Sequence, residues 1–434
     1  MKNVLILTYY WPPTGGAGVH RWLKFVKYLR RFGWEPIVYT PENPEPPLLD
    51  PSLEKDIPED ITILKTRIWE PYALYKKFVG RSPDEGFQAG FLSEEKVPKG
   101  KQGISVWIRG NFFIPDARKY WIRPSVKYLT AYLKKFPVQV LVSTGPPHSL
   151  HLIGLKLKQK LNIPWIADFR DPWTGIDFYP RLKLTKAADR THHRLEKQVI
   201  KQADAVIAVS EGIKNDFRKY RENGIHVITN GYDPEDIPAL PVEPAEDFLI
   251  SHLGSVNADR NPNAFWKVLS KFVQENHAFK NHLKIRFIGK TDITVRASIR
   301  EHGLESYVEL SLPVPHEQVF TLLKQSRLLL LPVNRTPNAS SILTGKLFEY
   351  LAAGRPILGI GPEEGEMARI LEETGAGRMC HWDRPECIRS FLEKLFEQYL
   401  AGQPPAGPVN TGKYSRVELT RKLAEILDQT VDLS

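Results

Sequence analysis

Two doubly wound α/β domains are what the sequence predicts, and three observations carry the prediction. Strand-like apolar runs alternate with helical patterns along most of the chain, the arrangement of parallel sheets with crossover helices. The 434 residues suffice for two domains of roughly 200 residues, each with ample core. Between the two sets of strands, Asp233 to Asp247 carries Pro234, Pro238, Pro241 and Pro244 among acids, which breaks regular structure and reads as a linker.

In the first half the strands fall at Val4 to Thr8, Glu35 to Tyr39, Val138 to Ser143, Trp165 to Ala167, Ala205 to Val209 and His226 to Ile228. The first leads into Tyr9 to Gly18 and a helix from Val19 to Phe32. In that loop Gly15 and Gly16 let backbone N–H groups approach a ligand without a side chain in the way. The spacing is not G-x-G-x-x-G, and Tyr39 is followed by Thr40 and Pro41 rather than an acid, so no dinucleotide cofactor is expected. The helix sets Arg21, Lys24, Lys27, Arg30 and Arg31 among apolar residues. Its stripe packs on the sheet and its cations sit in water or lean on anionic lipid headgroups. Residues 41–125 are read as an irregular aromatic and basic insertion, with short helices near Tyr72 to Val79 and Arg123 to Lys134, and with Lys96 to Lys101 lysine-rich.

Open α/β sheets place ligands at the carboxyl ends of their strands. The strand at Val138 ends in Thr144-Gly145-Pro146-Pro147-His148, and the strand at Trp165 ends in Asp168-Phe169-Arg170-Asp171-Pro172-Trp173. Asp168, Arg170 and Asp171 form a dense charge cluster at such an edge, and His148 is a second polar candidate. Ser210 caps the next helix, and Asn230-Gly231 makes a turn at the last strand tip.

In the second half strands are expected at Leu249 to Leu253, Lys284 to Ile288, Val308 to Leu310, Leu328 to Leu331 and Pro356 to Gly359. Gly254 and Gly289 end two of them, and the Leu312 to Pro315 loop, with Val314, offers backbone to a base edge. A helix beginning at Thr344 or Gly345 directs free N–H groups and its positive end at whatever precedes it, which suits a diphosphate. Lys346 adds a full charge in its first turn. Glu349, three residues on, shares that face, where a carboxylate accepts hydrogen bonds from ribose hydroxyls. A lone K-x-x-E is ordinarily a surface ion pair, so context decides.

The run Gly345-Lys346-Leu347-Phe348-Glu349-Tyr350-Leu351-Ala352 resembles the donor-binding signature of retaining glycosyltransferases of family 4, which have the GT-B fold. That resemblance implies two Rossmann-like domains facing an interdomain cleft: 1–236 on the acceptor side, 237–410 for the nucleotide sugar, and 411–434 as a helix crossing back. Glu349 matches the second of the family's two glutamates; the first falls on Ser341, a departure. The family's phosphate-clamping Arg and Lys fall on Ser255 and Arg260, so Lys346 restores the cation count. Arg170-Asp171 with Trp173 matches a family strand end facing the transferred sugar or the acceptor, with Asp168 beside it; His148, Trp173 and Asn230 are acceptor-side residues. Gly15 and Gly16 line the cleft by the same likeness, and Thr344 and Gly345 open the donor helix.

The function so implied is transfer of a sugar, with retention, from a nucleotide-diphosphate sugar to a saccharide or lipid-linked acceptor in cell-surface polysaccharide or glycolipid synthesis. No metal is expected, since no D-x-D stands near a strand end. A nucleotide-sugar epimerase on the same fold is the alternative. Sixty Lys and Arg against fifty Asp and Glu leave a charge of +10, which predisposes to anionic partners. A basic nucleic-acid binder is disfavoured because no recognition helix or C-x-x-C finger occurs. Cys380 and Cys387 are too few for a disulfide framework or a four-thiol zinc site and read as packing residues of a cytosolic protein. The apolar runs Val4 to Leu7 and Leu328 to Leu331 are too short for a signal or a span. A cytoplasmic location is therefore expected, with any membrane contact peripheral.

Overall fold

The computed structural model describes residues 1–45, 48–70, 99–404 and 407–433. The expected helix near Tyr72 to Val79, the aromatics Phe87 and Phe91, and Lys96 lie outside the described residues. Two parallel sheets with flanking helices make an α/β fold of the GT-B class. The chain divides into two compact units, 1–229 with 417–434, and 230–416.

The first unit has seven parallel strands: β1 Lys2–Leu7, β2 Trp34–Pro41, β3 Thr62–Thr66, β4 Val140–Gly145, β5 Trp165–Phe169, β6 Ala205–Ala208 and β7 Ile225–Val227. Their order is β3-β2-β1-β4-β5-β6-β7, so the order reverses between β1 and β4, where a ligand crevice opens in such sheets. Both faces are covered, as parallel sheets require. Leu5 and Leu7 face one apolar layer with Ile153 and Leu157, while Val4 and Ile6 face another with Trp22 and Val26. The terminal helix Arg416–Asp432 adds Leu419, Leu423 and Leu427 to that second layer.

The second unit has six parallel strands: β8 Phe248–Leu253, β9 Leu283–Ile288, β10 Val308–Ser311, β11 Leu328–Pro332, β12 Ile357–Ile360 and β13 Gly377–Cys380. The order is β10-β9-β8-β11-β12-β13, with its reversal between β8 and β11. Leu328 and Leu330 pack into one layer, Leu329 and Leu331 into the other, the two-residue period of a strand buried on both faces.

Several expectations need correction. Arg21 and Lys24 do not sit in water; each is about 1–2% exposed. The Lys24 ammonium is 2.7 Å from Asp56, which Lys27 also meets at 2.7 Å. Arg30 pairs with Glu35 at 2.7 Å. The helix Ala17–Leu29 thus spends most of its positive face inside its own unit. Residues 41–125 are not uniformly irregular either: β3, a helix Lys99–Phe112 and a 3-10 turn Ala117–Trp121 lie within them, and Trp121 stacks on Tyr39 in the core. Cys380 and Cys387, both buried, are joined as a disulfide rather than packing as free thiols. Among the described residues no helix is long and apolar enough to cross a membrane.

Candidate functional site

The donor candidates of the second unit converge at its sheet's reversal point. Helix Gly345–Ala353 starts with Thr344 at its N-cap, and no side chain caps its first N–H groups. Tyr350, one turn on, fixes the helix against β8, its hydroxyl accepting from the Leu253 N–H at 2.9 Å. That attachment lays the Lys346 stem across Gly254: a Cβ there would stand 2.3 Å from Lys346 Cε, and φ at Gly254 is +102°. Only glycine satisfies both conditions. Gly289 in turn packs on the Gly254 backbone, where a Cβ would come within 2.8 Å.

The Lys346 ammonium and the Arg260 guanidinium both point at the Ser255 carbonyl, each at 3.4 Å. Asn334, buried on the loop after β11, accepts from Arg260 Nε at 2.5 Å and aims the guanidinium. Burial first, and the neighbouring Arg260 charge second, push the Lys346 ammonium down to about 7. Two cations that repel each other beside an uncapped helix start concentrate positive potential at one point. His252 on β8 adds none of its own: burial and then the Lys346 charge hold it well below its ordinary value, so it stays neutral. Glu349 lies half-buried on the same helix face, its carboxyl raised by burial against the opposing pull of His316 and Lys346. His316 itself donates from Nε2 to Asp236 at 3.0 Å. Val314 is half-buried on the loop before His316, and Ser341 closes the short turn Ala339–Ser341. The structure therefore brings Gly254, Ser255, Arg260, Gly289, Lys346 and the Thr344–Gly345 helix start together, with Glu349 one turn on.

In the first unit the charge cluster at the end of β5 separates into different roles. Asp168 is fully buried and accepts from Arg21 Nη2 at 2.8 Å, Trp22 Nε1 at 2.7 Å and the Thr144 hydroxyl at 2.9 Å. Its carboxyl is held below its ordinary value: burial opposes that, but the Arg21 charge and these hydrogen bonds outweigh it. Asp168, expected as a catalytic residue, is thus placed as the buried counter-ion of Arg21. Arg170 is likewise employed, donating to the carbonyls of Gly18, at 2.7 Å, and of Pro146. It ties the glycine loop to the loop after β4. Gly18 is glycine because a Cβ would meet the Tyr10 ring at 2.8 Å and Arg170 at 3.0 Å.

Asp171 is the member left over. Its side chain is exposed and no hydrogen bond or ion pair among the described residues holds its carboxylate; desolvation by the neighbouring protein pushes the carboxyl up, to about 6, against the pull of the adjacent Arg170. Trp173 is buried, stacked on His148 with ring centroids 4.6 Å apart, and donates to His192 Nδ1 at 3.0 Å. Expected on the acceptor side, it is held in the interior of the first unit between these two histidines. His148 is 8% exposed and kept neutral by burial. Gly15 also departs from expectation, since its N–H donates to the Leu48 carbonyl at 2.8 Å; Gly16, with φ +91°, remains at the start of the helix. Asn230 begins the second unit rather than ending the first.

Sequence reasoning missed His252, Asn334 and Tyr350, which shape the donor side, and Arg21 with Trp22, which hold Asp168. Only Tyr350 carried a local signal, lying beside Glu349 on a helix already singled out.

Comparison with known proteins now adds to this geometry. No curated protein matches the sequence. The chain is similar over its whole length to a glycosyltransferase from Rickettsia africae, at 14% identity, covering 99% of that chain with a TM-score of 0.61. Sucrose-phosphate synthase from Thermosynechococcus elongatus is similar at 14% identity, over 100% of this chain and 98% of its own, with a TM-score of 0.58. Anabaena HepE in complex with UDP-glucose is similar at 12% identity, over 100% and 99%, with a TM-score of 0.58. These likenesses establish the fold. The description "Glycosyltransferase Family 4" matches residues 14–236, just over half of the 434 residues. The chain belongs to glycosyltransferase family 4.

Proposed function

We propose that this glycosyltransferase moves a sugar from a nucleotide-diphosphate donor to a saccharide or lipid-linked saccharide acceptor, with retention of configuration, in the synthesis of a cell-surface polysaccharide or glycolipid. The observation that carries the reading is the convergence of Lys346, Arg260 and the uncapped Gly345 helix start beside Gly254. The second unit binds the donor there. Arg260 and Lys346 take the diphosphate, the helix N–H groups complete its contacts, and Glu349 accepts from the ribose hydroxyls.

As the bond from the sugar's anomeric carbon to the diphosphate breaks, negative charge grows on the leaving phosphate. Lys346, Arg260 and the helix dipole are already oriented toward it, so no reorganisation is needed as that charge develops. The acceptor oxygen attacks from the face the diphosphate leaves, and its proton passes to a donor phosphate oxygen; no protein nucleophile is required. Asp171, exposed at the end of β5 and anionic above about pH 6, is the first unit's candidate group for the chemistry, with Arg170 positioning the loops beside it. The HepE structure contains UDP-glucose, which supports a nucleotide sugar as donor here.

A thermal-shift panel of UDP-, GDP- and ADP-sugars identifies the donor, because a ligand of the folded state raises the melting temperature by mass action. Lys346→Ala and Glu349→Ala are then expected to lose most of that shift. Wild-type donor affinity in both variants sinks the assignment.

A further inference from the structure

We propose that the helix Lys186–Gln202 carries a positioning clamp, His192 with Glu196, that fixes the Asp171–Thr174 segment and thereby sets where the Asp171 carboxyl stands for the transfer. The inference rests on Asp171 as the first unit's group for the chemistry. With no hydrogen bond or ion pair of its own among the described residues, that carboxyl takes its place from its chain neighbours.

Those neighbours are anchored on both sides. Upstream, the Arg170 N–H donates to the Gly145 carbonyl at 2.9 Å, and the Arg170 side chain donates to Gly18. Downstream, the ring of Pro172 fixes its φ, and the next two residues are held by one helix. Trp173 Nε1 donates to His192 Nδ1 at 3.0 Å. An indole N–H only donates, so Nδ1 is the bare nitrogen of His192, and its proton sits on Nε2, which faces the Gly110 carbonyl at 3.4 Å. Burial lowers the affinity of His192 for a second proton, which preserves that arrangement. Glu196, one turn on, takes both donors of Thr174. Its Oε1 accepts from the backbone N–H at 3.1 Å and its Oε2 from the hydroxyl at 2.5 Å. Only a carboxyl group offers two acceptor oxygens in a fork to two donors of one residue.

Stability alone does not account for these residue types. The inward face of the helix otherwise presents Ala188, Val199 and Ile200, and apolar side chains would complete it without taking a carboxyl out of water. His192 and Glu196 are 4% and 2% exposed, and among the described residues no ion pair offsets the burial of Glu196. Asp189, on the same stripe, accepts from the Tyr179 hydroxyl at 3.0 Å, further along the same loop. One polar stripe thus grips the loop at Trp173, Thr174 and Tyr179. A polar burial cost concentrated on the loop that carries Asp171 matches the placement of a reacting group, where a small displacement is costly.

Carbon-13 NMR of the aspartate carboxyls in the full chain tests this without any ligand. In the wild type, the resonance that disappears in Asp171→Asn is expected to titrate at about 6, with Arg170 and Asp177 as the charged groups beside it. Opening the clamp hydrates this carboxyl. In Glu196→Ala, and in Thr174→Val, which removes only a hydroxyl, the same resonance is expected to titrate closer to the ordinary 3.8. Nucleotide release from UDP-, GDP- and ADP-glucose is the second readout. Glu196→Ala is expected to lower kcat at least about tenfold while KM stays within about twofold of wild type. Glu196→Gln, whose amide oxygen still accepts from the Thr174 N–H, is expected to recover most of the loss. Added to Asp171→Asn, the Glu196→Ala change is expected to cost little more, because the carboxylate it would misplace is already gone. A wild-type Asp171 titrating near 3.8, an unchanged titration in both clamp variants, an unchanged kcat in Glu196→Ala, or a loss that persists in full beside Asp171→Asn overturns the proposal. If the wild type releases nucleotide from none of these donors, the transfer reading fails, while the titration still decides the clamp.

Discussion

Raising the pH through neutrality is predicted to empty the donor site by way of Lys346. Burial and Arg260 hold this ammonium at about 7, far below lysine's ordinary 10.5. A bound diphosphate opposes both causes and raises the value again, so binding takes up a proton wherever the free lysine is neutral. The contribution of Lys346 to affinity is complete below about pH 7 and is lost as pH climbs toward the bound-state value. With a midpoint of about 7, the charged fraction falls from about nine-tenths at pH 6 to about one-hundredth at pH 9. That sets an upper limit of about a hundredfold on the loss of affinity. Lys346 is half-buried rather than sealed, so solvent screening reduces the effect, and a fall of at least about tenfold is expected.

Calorimetric titration with the nucleoside diphosphate product at pH 6, 7, 8 and 9 measures it. Lys346→Arg stays charged throughout and is expected to give a flat profile over this range. Lys346→Met is expected to be flat and weak. The unliganded protein provides a check of opposite sign. Because the folded-state value lies below the unfolded one, Lys346 costs stability below about pH 7, and the cost disappears as pH rises toward 10.5. Without ligand, Lys346→Met is therefore expected to melt higher than wild type at pH 6, with the difference shrinking at pH 9. A wild-type affinity that is flat from pH 6 to 9, or an equal decline in Lys346→Arg, refutes the reasoning.

Three further outcomes follow from the geometry. Gly254→Ala is expected to cost about 1–3 kcal/mol, from its positive φ and the clash with Lys346, and to abolish the donor-induced thermal shift; wild-type donor affinity counts against the placement. Asp168→Asn leaves the buried Arg21 guanidinium without its counter-charge and is expected to lower stability by about 3–5 kcal/mol in urea unfolding. Unchanged stability with lost turnover would return Asp168 to the chemistry. For Asp171, with its carboxyl at about 6, turnover is expected to fall as pH drops below that value. Asp171→Asn is expected to be slow and insensitive across the same window, with donor affinity intact, and a wild-type pH profile in that variant removes Asp171 from the reaction.

How much of this was legible in the sequence depended on how local the determining contact is. Interior strands such as Val140–Gly145 and Leu328–Pro332 show as apolar runs because both their faces are buried. The strands overlooked, Thr62–Thr66 and Gly377–Cys380, are sheet edges whose half-exposed faces blur the pattern. Lys346 and Glu349 were visible because helix spacing alone puts them on one face. The depression of Lys346 was not visible, since it depends on Gly254 and Arg260, both more than 80 residues upstream.

The same distinction explains Asp168 and Asp171, which sequence proximity groups as one charged cluster. Residues far away in the chain decide between them. Arg21, nearly 150 residues earlier, enters the core only because Asp168 neutralises it, and Trp22 and Thr144 occupy the rest of that carboxylate. Asp171, three residues on, has no such partner among the described residues and stays exposed. At a strand end rich in charge, the carboxylate left open is thus the one the fold has not paired, and that remainder becomes visible only once the long-range contacts are known.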